Sequence, residues 1–243
     1  MRTTRIFVDQ PLRSGKRIAL PEDAAAHLVR VLRMQAGDGC VLFDGDGGDY
    51  AATIVSANKR GVEADVGART QVDNESPLRI TLVQGIARGE KMDWILQKAT
   101  ELGVTQVLPV NSDRSEVKLD AERAVKRLAH WRSVVVSACE QSGRARVPEV
   151  SAAQPLANVA NGLASPHRFL LDPEAKDAIA TMPAFESDCV LAVGPEGGWS
   201  ERDRAVLTAA GFKGLRLGPR ILRTETAGIA AIAALQARFG DLG

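Results

Sequence analysis

The chain has 243 residues, with 31 lysines and arginines against 30 aspartates and glutamates, and 45% of its residues are hydrophobic. A chain of this length can bury the core of one large domain or of two modest ones. The balanced charge excludes binding of nucleic acid through bulk positive charge, so any such site must be a local patch. Aromatic residues, at 4%, are too few to favour a stacking platform for single strands.

The sequence does not indicate a membrane protein, a secreted protein or a disulfide-rich protein. No stretch approaches the roughly 20 uninterrupted apolar residues that span a bilayer, and the first residues lack the apolar run of a signal peptide. A cytoplasmic location without a membrane partner is therefore expected. Cys40, Cys139 and Cys189 lie far apart and outside any CxxC pair, so we predict buried thiols rather than disulfides or a zinc site.

The first seventy or so residues contain short strand-like runs separated by turn-rich pieces, which predicts a small β-rich barrel or sheet. The stretch DGDGGDY, residues 44–50, is interpreted as a hairpin turn. A helix is predicted within residues 21–34, because Pro21 can open it and four apolar residues share one face. Those four residues are Ala25, Leu28, Val29 and Leu32.

The pattern changes after the polar stretch QVDNESP, residues 71–77. From there, apolar strand candidates alternate with longer helix candidates, which is typical of a parallel, doubly wound α/β domain. We therefore predict one domain over residues 1–73 and a second over residues 74–243.

The first candidate ligand loop is GPEGG, residues 194–198, which follows the strand candidate CVLAV. In open parallel sheets, ligands bind at the carboxyl ends of strands. The spacing matches neither the P-loop nor the GxGxxG dinucleotide motif, and Glu196 would repel a phosphate. Ser200 and Asp203 resemble a capping box that begins a helix. Taken alone, the stretch also fits a glycine turn that only links a strand to a helix.

A second glycine-bearing strand end lies in GLRLGPRILRTETAGIAAIAAL, residues 214–235. Arg220, Arg223 and Glu225 precede an alanine-rich helix that is apolar nearly all round, so the helix is expected in a core or an oligomer interface. A salt-bridged helix start explains Glu225 equally well. The three histidines are isolated and neither HExxH nor GxSxG occurs, so no metal centre or hydrolase nucleophile is expected.

Basic residues between positions 88 and 146 are mostly interrupted by acids, which favours a solvated surface for most of them. Arg88 and Lys91, at a strand-to-helix turn, are better candidates for contact with a polyanion. Arg144 lies in a predicted loop after EQSG and is a candidate for gripping phosphate.

Several of these stretches together resemble the 16S ribosomal RNA uracil-N3 methyltransferase family. The resemblance rests on VGPEGGWSERD and LRLGPRILRTETAGIAAIAAL, preceded by KMDWILQKATELGV and EQSGRARVPEV. RIFV and HLVRVLRMQAGD resemble the N-terminal domain of that family. The match covers essentially the whole chain, and its motifs occur in the expected order.

The resemblance implies a SPOUT-type methyltransferase domain, whose C-terminal segment is threaded as a trefoil knot, after a PUA-like RNA-binding domain. It also implies S-adenosylmethionine as cofactor, a homodimer, and 16S rRNA of the small ribosomal subunit as substrate. The cofactor has a sulfonium cation and no phosphate, which makes a loop carrying Glu196 compatible with it. The implied cofactor-binding residues are Leu171, Gly194, Glu196, Gly197, Gly198, Leu217, Gly218, Ile221, Leu222 and Thr226.

For catalysis, the resemblance implies Arg220 or Arg223 near the uracil, with Glu225 as orienter or possible base. The candidates for gripping the rRNA backbone are Arg5, Arg30, Arg33, Arg88, Lys91 and Arg144. Two alternatives remain open at this point: a SPOUT methyltransferase that modifies another RNA position, and an RNA-binding protein without catalytic activity. An enzyme that binds a nucleotide phosphate is disfavoured by the missing phosphate motif.

Overall fold

The computed structural model of the protein describes residues 3–58, 61–115, 121–185 and 187–243. It divides into two units, the first formed by residues 1–75 with 139–147 and the second by residues 76–138 with 148–243. The predicted domains are continuous segments, whereas the short piece 139–147 groups with the first unit. Its contacts are with residues distant in sequence, which a pattern read along the chain does not show.

The first unit is built on a five-stranded sheet with the strand order β1-β3-β4-β5-β2. Its strands are β1 (Arg5–Phe7), β2 (Arg17–Ala19), β3 (Gly39–Phe43), β4 (Gly48–Asn58) and β5 (Gly61–Gln71). Alternate residues of β4 and β5 face a core that includes Ile54, Val62 and Val66, as the two-residue period of a strand requires. Because β3 and β4 pair antiparallel, residues 44–47 form the hairpin connection that the sequence predicts.

The predicted helix over residues 21–34 is shorter and less regular in the structure. Helix α1 spans Glu22–Ala26 and continues as a π-helical turn over His27–Val31. Ala25 and Leu28 are buried as predicted, but Val29 and Leu32 are each 38% exposed. The prediction of one shared face is therefore wrong for these two residues, because a π turn does not repeat every 3.6 residues.

The second unit contains a parallel seven-stranded sheet in the order β12-β10-β11-β6-β7-β8, with β9 paired to β7. Its strands are β6 (Arg79–Gly85), β7 (Val104–Asn111), β8 (Glu149–Val150), β9 (Gln154–Pro155), β10 (Arg168–Leu171), β11 (Asp188–Val193) and β12 (Lys213–Leu215). The helices that follow or separate them are α2 (Glu90–Glu101), α3 (Ala121–Ser142), α4 (Leu156–Gly162), α5 (Glu201–Ala209) and α6 (Thr224–Phe239). A short 3-10 turn spans Ile179–Thr181.

The middle residues of the central strands β6 and β11 are mostly apolar because both faces of the sheet are covered. Leu82 and Val83 of β6 and Leu191 of β11 have no exposed surface. Helix α6 buries one face, with Ile232 and Leu235 inside, while Ile229, Ala230, Ala233 and Ala234 on its other side are partly exposed. The alanine-rich helix is thus packed on one side and carries a partly exposed apolar face on the other.

Arg144 is a correction to the sequence analysis, because it lies in the interior of the first unit. Its guanidinium is 5% exposed and donates hydrogen bonds to both carboxylate oxygens of Glu75, at 3.0 and 2.5 Å. Arg5 also binds inward: it forms an ion pair with Asp49 and donates to the Arg144 carbonyl at 3.1 Å. Neither arginine is placed to grip an rRNA backbone, and both fix the segment 139–147 instead.

Replacing Arg144 by alanine is expected to lower the free energy of unfolding by about 2 kcal/mol, because the Glu75 carboxylate loses its charged partner. Thermal unfolding would show this as a lower melting temperature. The double variant R144A/E75A should recover part of the loss, and R13A, at an exposed position, serves as the control. If R144A melted like the wild type but no longer bound RNA, Arg144 would be an RNA contact and not a structural residue.

The three cysteines are free and buried, as predicted. Burial raises the pKa of the Cys40 thiol to about 11 and those of Cys139 and Cys189 to about 12. All three are therefore protonated and unreactive at neutral pH. Within the described residues, no helix is long and apolar enough to cross a membrane, and no cluster of histidine, cysteine or acidic side chains is placed to hold a metal ion.

Candidate functional site

A cavity of about 510 Å³ opens in the second unit at the carboxyl ends of β10, β11 and β12. This is the edge where parallel sheets place their ligands. The loops after the three strands line it, and most of the predicted cofactor residues meet there. These residues are Leu171, Gly194, Glu196, Gly197, Gly198, Leu217, Gly218, Ile221 and Leu222.

The loop after β11 is held in a tight turn. The Gly198 N–H donates to the Pro195 carbonyl at 2.9 Å, and Gly198 has a φ of +66°, which favours glycine. At its end, Ser200 and Asp203 form the predicted capping box of α5, with both reciprocal hydrogen bonds present. The strand, loop and helix unit read from the sequence is therefore confirmed.

Glu196 is held by the turn that leads into α2. Its carboxylate accepts a hydrogen bond from the Arg88 backbone N–H at 3.0 Å, and the Lys91 ammonium lies 3.3 Å from the same oxygen. Burial by itself raises the pKa of Glu196, but the backbone N–H groups of Arg88 and Glu196, together with Lys91, outweigh it. The pKa therefore lies below its ordinary value, and the side chain is a carboxylate at neutral pH.

The variant E196Q is expected to melt about 1–2 °C below the wild type at pH 7, since a partly exposed ion pair contributes less than about 1 kcal/mol. Because folding lowers the pKa of Glu196, its carboxylate stabilises the fold at pH values above its ordinary pKa of 4.5. This stabilisation is lost as the pH falls through the lowered pKa. Melting curves from pH 7 to pH 3.5 should therefore show the difference closing below about pH 4.5. The exposed position Asp241, changed to asparagine, provides the control. If the difference in melting temperature between E196Q and the wild type stayed constant with pH, the charge of Glu196 would not be its cause.

The loop after β12 carries two arginines into the cavity. Arg220 and Arg223 both line it and are exposed. Within the described residues, neither guanidinium forms a hydrogen bond or an ion pair. Gly218, with φ of +89°, provides the turn that precedes them. Two cations at the rim of a partly apolar cavity are thus available to a bound ligand.

The start of α6 is fastened to the glycine loop. The Thr224 hydroxyl donates to the Gly194 carbonyl at 2.5 Å and accepts from the Gln84 amide at 3.2 Å. Thr224 is buried and lines the cavity, whereas Thr226 is exposed and lies outside the lining. Thr224, and not the predicted Thr226, therefore lines the cavity, because residues two apart on a helix point to different sides.

Glu225 lies outside the cavity lining. Its Oε2 atom is buried and has no hydrogen-bond partner among the described residues. The salt-bridged helix start considered from the sequence is not formed by the described side chains. A buried carboxylate oxygen is costly unless a hydrogen-bond donor reaches it.

Two further cations, which were not predicted as site residues, line the cavity wall. Arg204 of α5 lies 2.6 Å from Asp172, next to the predicted Leu171. Arg114, in the loop after β7, donates to the Gly197 carbonyl at 2.9 Å. Arg114 follows the end of β7, and ligands of parallel sheets bind at strand ends, so its position in the sequence indicated a site residue. Arg204 lies within an ordinary polar helix, where the sequence gives no such indication.

Of the remaining predicted RNA contacts, Arg30, Arg33 and Arg88 are exposed and Lys91 is partly exposed. Arg30 lies in the π-helical turn of the first unit, and Arg33 follows it with φ of +55°. In the second unit, Lys91 lines the cavity and Arg88 presents its N–H to Glu196. Their exposure is compatible with RNA contact, which stays a prediction.

Comparison with known protein families agrees with this architecture. A family described as an RNA methyltransferase PUA domain matches residues 20–67, and one described as an RNA methyltransferase domain matches residues 74–236. The ribosomal RNA small subunit methyltransferase E of Buchnera aphidicola is 34% identical over 99% of this chain and 98% of its own length. That of Mycobacterium tuberculosis is 34% identical over 94% and 89%.

Solved structures show the same relationship. A putative methyltransferase from Legionella pneumophila, in complex with S-adenosylmethionine, is 37% identical and superposes with a TM-score of 0.95. The ribosomal RNA small subunit methyltransferase E of Neisseria gonorrhoeae, bound to S-adenosylmethionine, is 40% identical with a TM-score of 0.92. Both alignments cover 100% of each chain. The predicted SPOUT-type fold with a PUA-like domain is confirmed, and this chain belongs to the ribosomal RNA small subunit methyltransferase E family.

Proposed function

We propose that this protein transfers a methyl group from S-adenosylmethionine to N3 of a uridine in 16S rRNA of the small ribosomal subunit. The observation that carries the proposal is the meeting of three strand-end loops in one cavity whose rim holds Arg220 and Arg223. Family membership supports the coarser statement, an S-adenosylmethionine-dependent methyltransferase of small-subunit rRNA. The choice of uracil N3 rests on the resemblance described from the sequence.

The lining of the cavity suits that cofactor. Gly194, Gly197 and Gly198 present backbone amides and carbonyls for the edges of adenine and the ribose, while Leu171 and Leu222 provide apolar walls. The Lys91 ammonium already compensates the Glu196 carboxylate, and the cofactor brings no phosphate for that carboxylate to repel. When bound, S-adenosylmethionine supplies an electrophilic methyl group on a positively charged sulfur.

The protein must then help N3 of the uracil to lose its proton. The ring becomes negatively charged as the proton leaves, and fixed cations stabilise such charge better than water does. Arg220 and Arg223 fit this task because they are exposed to the cavity and have no partner among the described residues. N3 is also a Watson–Crick atom, so the target uridine must be unpaired or flipped out of its helix.

Glu225 is proposed as the residue that orients an arginine or accepts the proton. The side chain has an unpartnered, buried Oε2 atom two residues after Arg223. Because Glu225 lies outside the cavity lining, this role requires its side chain to reach an arginine or the substrate in the bound complex.

The proposal includes RNA contacts from Arg30 and Arg33 in the first unit and from Arg88 and Lys91 in the second. It also includes a homodimer in the cytoplasm. The partly exposed apolar face of α6, with Ile229 and Ala233, supports self-association. Sedimentation analysis tests this part, and a monomer with full activity would contradict it.

Two measurements test the proposal. Calorimetric titration with S-adenosylmethionine should show binding, and labelled cofactor should transfer its methyl group to small ribosomal subunits but not to large ones. Absence of cofactor binding would favour the RNA-binding protein without catalytic activity. Label in another RNA would favour a SPOUT methyltransferase with a different substrate.

A further inference from the structure

A buried glutamine lies beneath the loop after β11. Gln84, the second-last residue of β6, has no exposed surface, although it follows Leu82 and Val83 in an apolar part of that central strand. A polar side chain in such a position is costly unless its hydrogen-bonding groups find partners. The partners of Gln84 therefore indicate what its amide does.

The amide nitrogen of Gln84 connects the sheet to the start of α6. Nε2 donates to the Gly85 carbonyl at 2.9 Å and to the Thr224 hydroxyl oxygen at 3.2 Å, and the Val193 carbonyl lies 3.5 Å from the same nitrogen. The Thr224 hydroxyl in turn donates to the Gly194 carbonyl at 2.5 Å. Three segments therefore meet at these two side chains: the end of β6, the loop after β11 and the first turn of α6.

The amide oxygen of Gln84 is not satisfied in the same way. Oε1 is buried and has no hydrogen-bond partner among the described residues. A buried acceptor without a donor costs free energy, and an apolar side chain at this position would fill the space without that cost. The groups that the amide nitrogen holds therefore explain the glutamine better than packing does.

We infer that Gln84 and Thr224 form a positioning pair that sets the shape of the cofactor site, an assignment that rests on the proposed function. Thr224 lines the cavity and Gly194 begins the loop that the cofactor is proposed to contact, whereas Gln84 lies outside the lining. Gln84 acts through Thr224: its N–H occupies one lone pair of the hydroxyl, so that the hydroxyl hydrogen points at the Gly194 carbonyl. The loop and the start of α6 are thereby fixed before the cofactor arrives, and a preorganised site binds more tightly.

A second glutamine separates this role from support of the fold. Gln236, near the end of α6, is equally buried. Its Oε1 accepts from the Ser76 hydroxyl at 2.6 Å, and its Nε2 donates to the Leu102 carbonyl at 3.0 Å. All three residues lie outside the cavity lining. Gln236 therefore holds α6 in place without touching the candidate site.

Calorimetric titration with S-adenosylmethionine, together with thermal unfolding, tests the positioning pair. Q84M keeps the length of the side chain but removes the amide, and T224V keeps the shape of the side chain but removes the hydroxyl. Each variant should bind the cofactor about tenfold more weakly, because the loss of one buried hydrogen bond costs about that factor. T224S keeps the hydroxyl and should restore affinity to within about twofold of the wild type.

The double variant Q84M/T224V shows whether the two side chains act together. Because Gln84 acts through the Thr224 hydroxyl, the double variant should bind about tenfold more weakly than the wild type, like either single variant, and not about 100-fold as independent effects would give. Q236M is the matched control. It should melt at a lower temperature because it removes two buried hydrogen bonds, yet it should bind the cofactor with wild-type affinity.

Four results would overturn the inference. Wild-type affinity in Q84M and T224V would leave the pair with a role in the fold alone. Equally weak binding by T224S and T224V would show that the hydroxyl is not what matters, and this comparison decides the question even if Q84M does not fold. A loss of about 100-fold in the double variant would show that the two residues act independently. Weaker binding by Q236M, in proportion to its lower melting temperature, would show that affinity follows stability.

Failure of the proposed function gives a different result. A wild-type protein that binds no S-adenosylmethionine would contradict the proposed function, and the positioning pair would be rejected with it. A wild type that binds the cofactor, with variants that bind it equally well, would reject the positioning pair alone.

Discussion

Replacing both Arg220 and Arg223 by alanine is expected to lower the methyl-transfer rate constant by about 100- to 1000-fold. Removing one preorganised group that stabilises a developing negative charge typically costs that factor. The two guanidiniums are the cavity-lining cations that lack a partner among the described residues, so nothing else at the rim replaces them. Single-turnover measurements with saturating cofactor isolate the chemical step.

The control variant, R216A, changes an arginine in the same stretch of the chain as Arg220 and Arg223. Arg216 is exposed but does not line the cavity, so R216A should retain the wild-type rate. Affinity for S-adenosylmethionine should change less than about threefold in the double variant, because its proposed contacts are backbone groups and apolar walls. Full activity in R220A/R223A would remove both arginines from the mechanism. A loss explained entirely by weaker cofactor binding would reassign them to the cofactor.

Replacing Gly85 by alanine is expected to weaken cofactor binding more than tenfold and to destabilise the fold by about 3 kcal/mol. Gly85 ends β6 directly beneath the glycine loop. A Cβ atom there would lie 2.5 Å from Cδ and 2.6 Å from the backbone nitrogen of Pro195. Because the obstacle includes backbone, the loop that carries Gly194 and Glu196 must move away from the sheet.

Calorimetric titration and thermal unfolding measure the two effects of G85A. Gly162, at the end of α4, has nothing within 4 Å of an added Cβ atom, so G162A should match or slightly exceed the wild-type stability. G85A with unchanged cofactor affinity would show that the loop after β11 does not set the shape of the cofactor site.

Much of the candidate site was predictable because its residues follow strands in a recognisable order. The apolar run of β11 ends where the glycines begin, and Gly194 through Gly198 all reach the cavity. Ser200 and Asp203 form their cap through local hydrogen bonds, which depend on spacing alone. Local chemistry of this kind is encoded within a few residues.

One error concerns a contact between residues that are distant in sequence. Arg144 reads as a loop cation, yet its partner Glu75 lies 69 positions away and draws it into the interior. The threading of the C-terminal segment as a knot came from the family resemblance, because no residue pattern indicates a knot. Thr226 was predicted to contact the cofactor, but Thr224 lines the cavity instead, because the sequence does not show which side of the helix start faces it.

The position of the transferred methyl group tests the proposed function most directly. Small ribosomal subunits that lack base methylation are incubated with the protein and labelled S-adenosylmethionine, and the 16S rRNA is digested with nuclease and analysed by mass spectrometry. The proposed function predicts label in a single N3-methyluridine. Label on another base, on a ribose oxygen or on another RNA would contradict it.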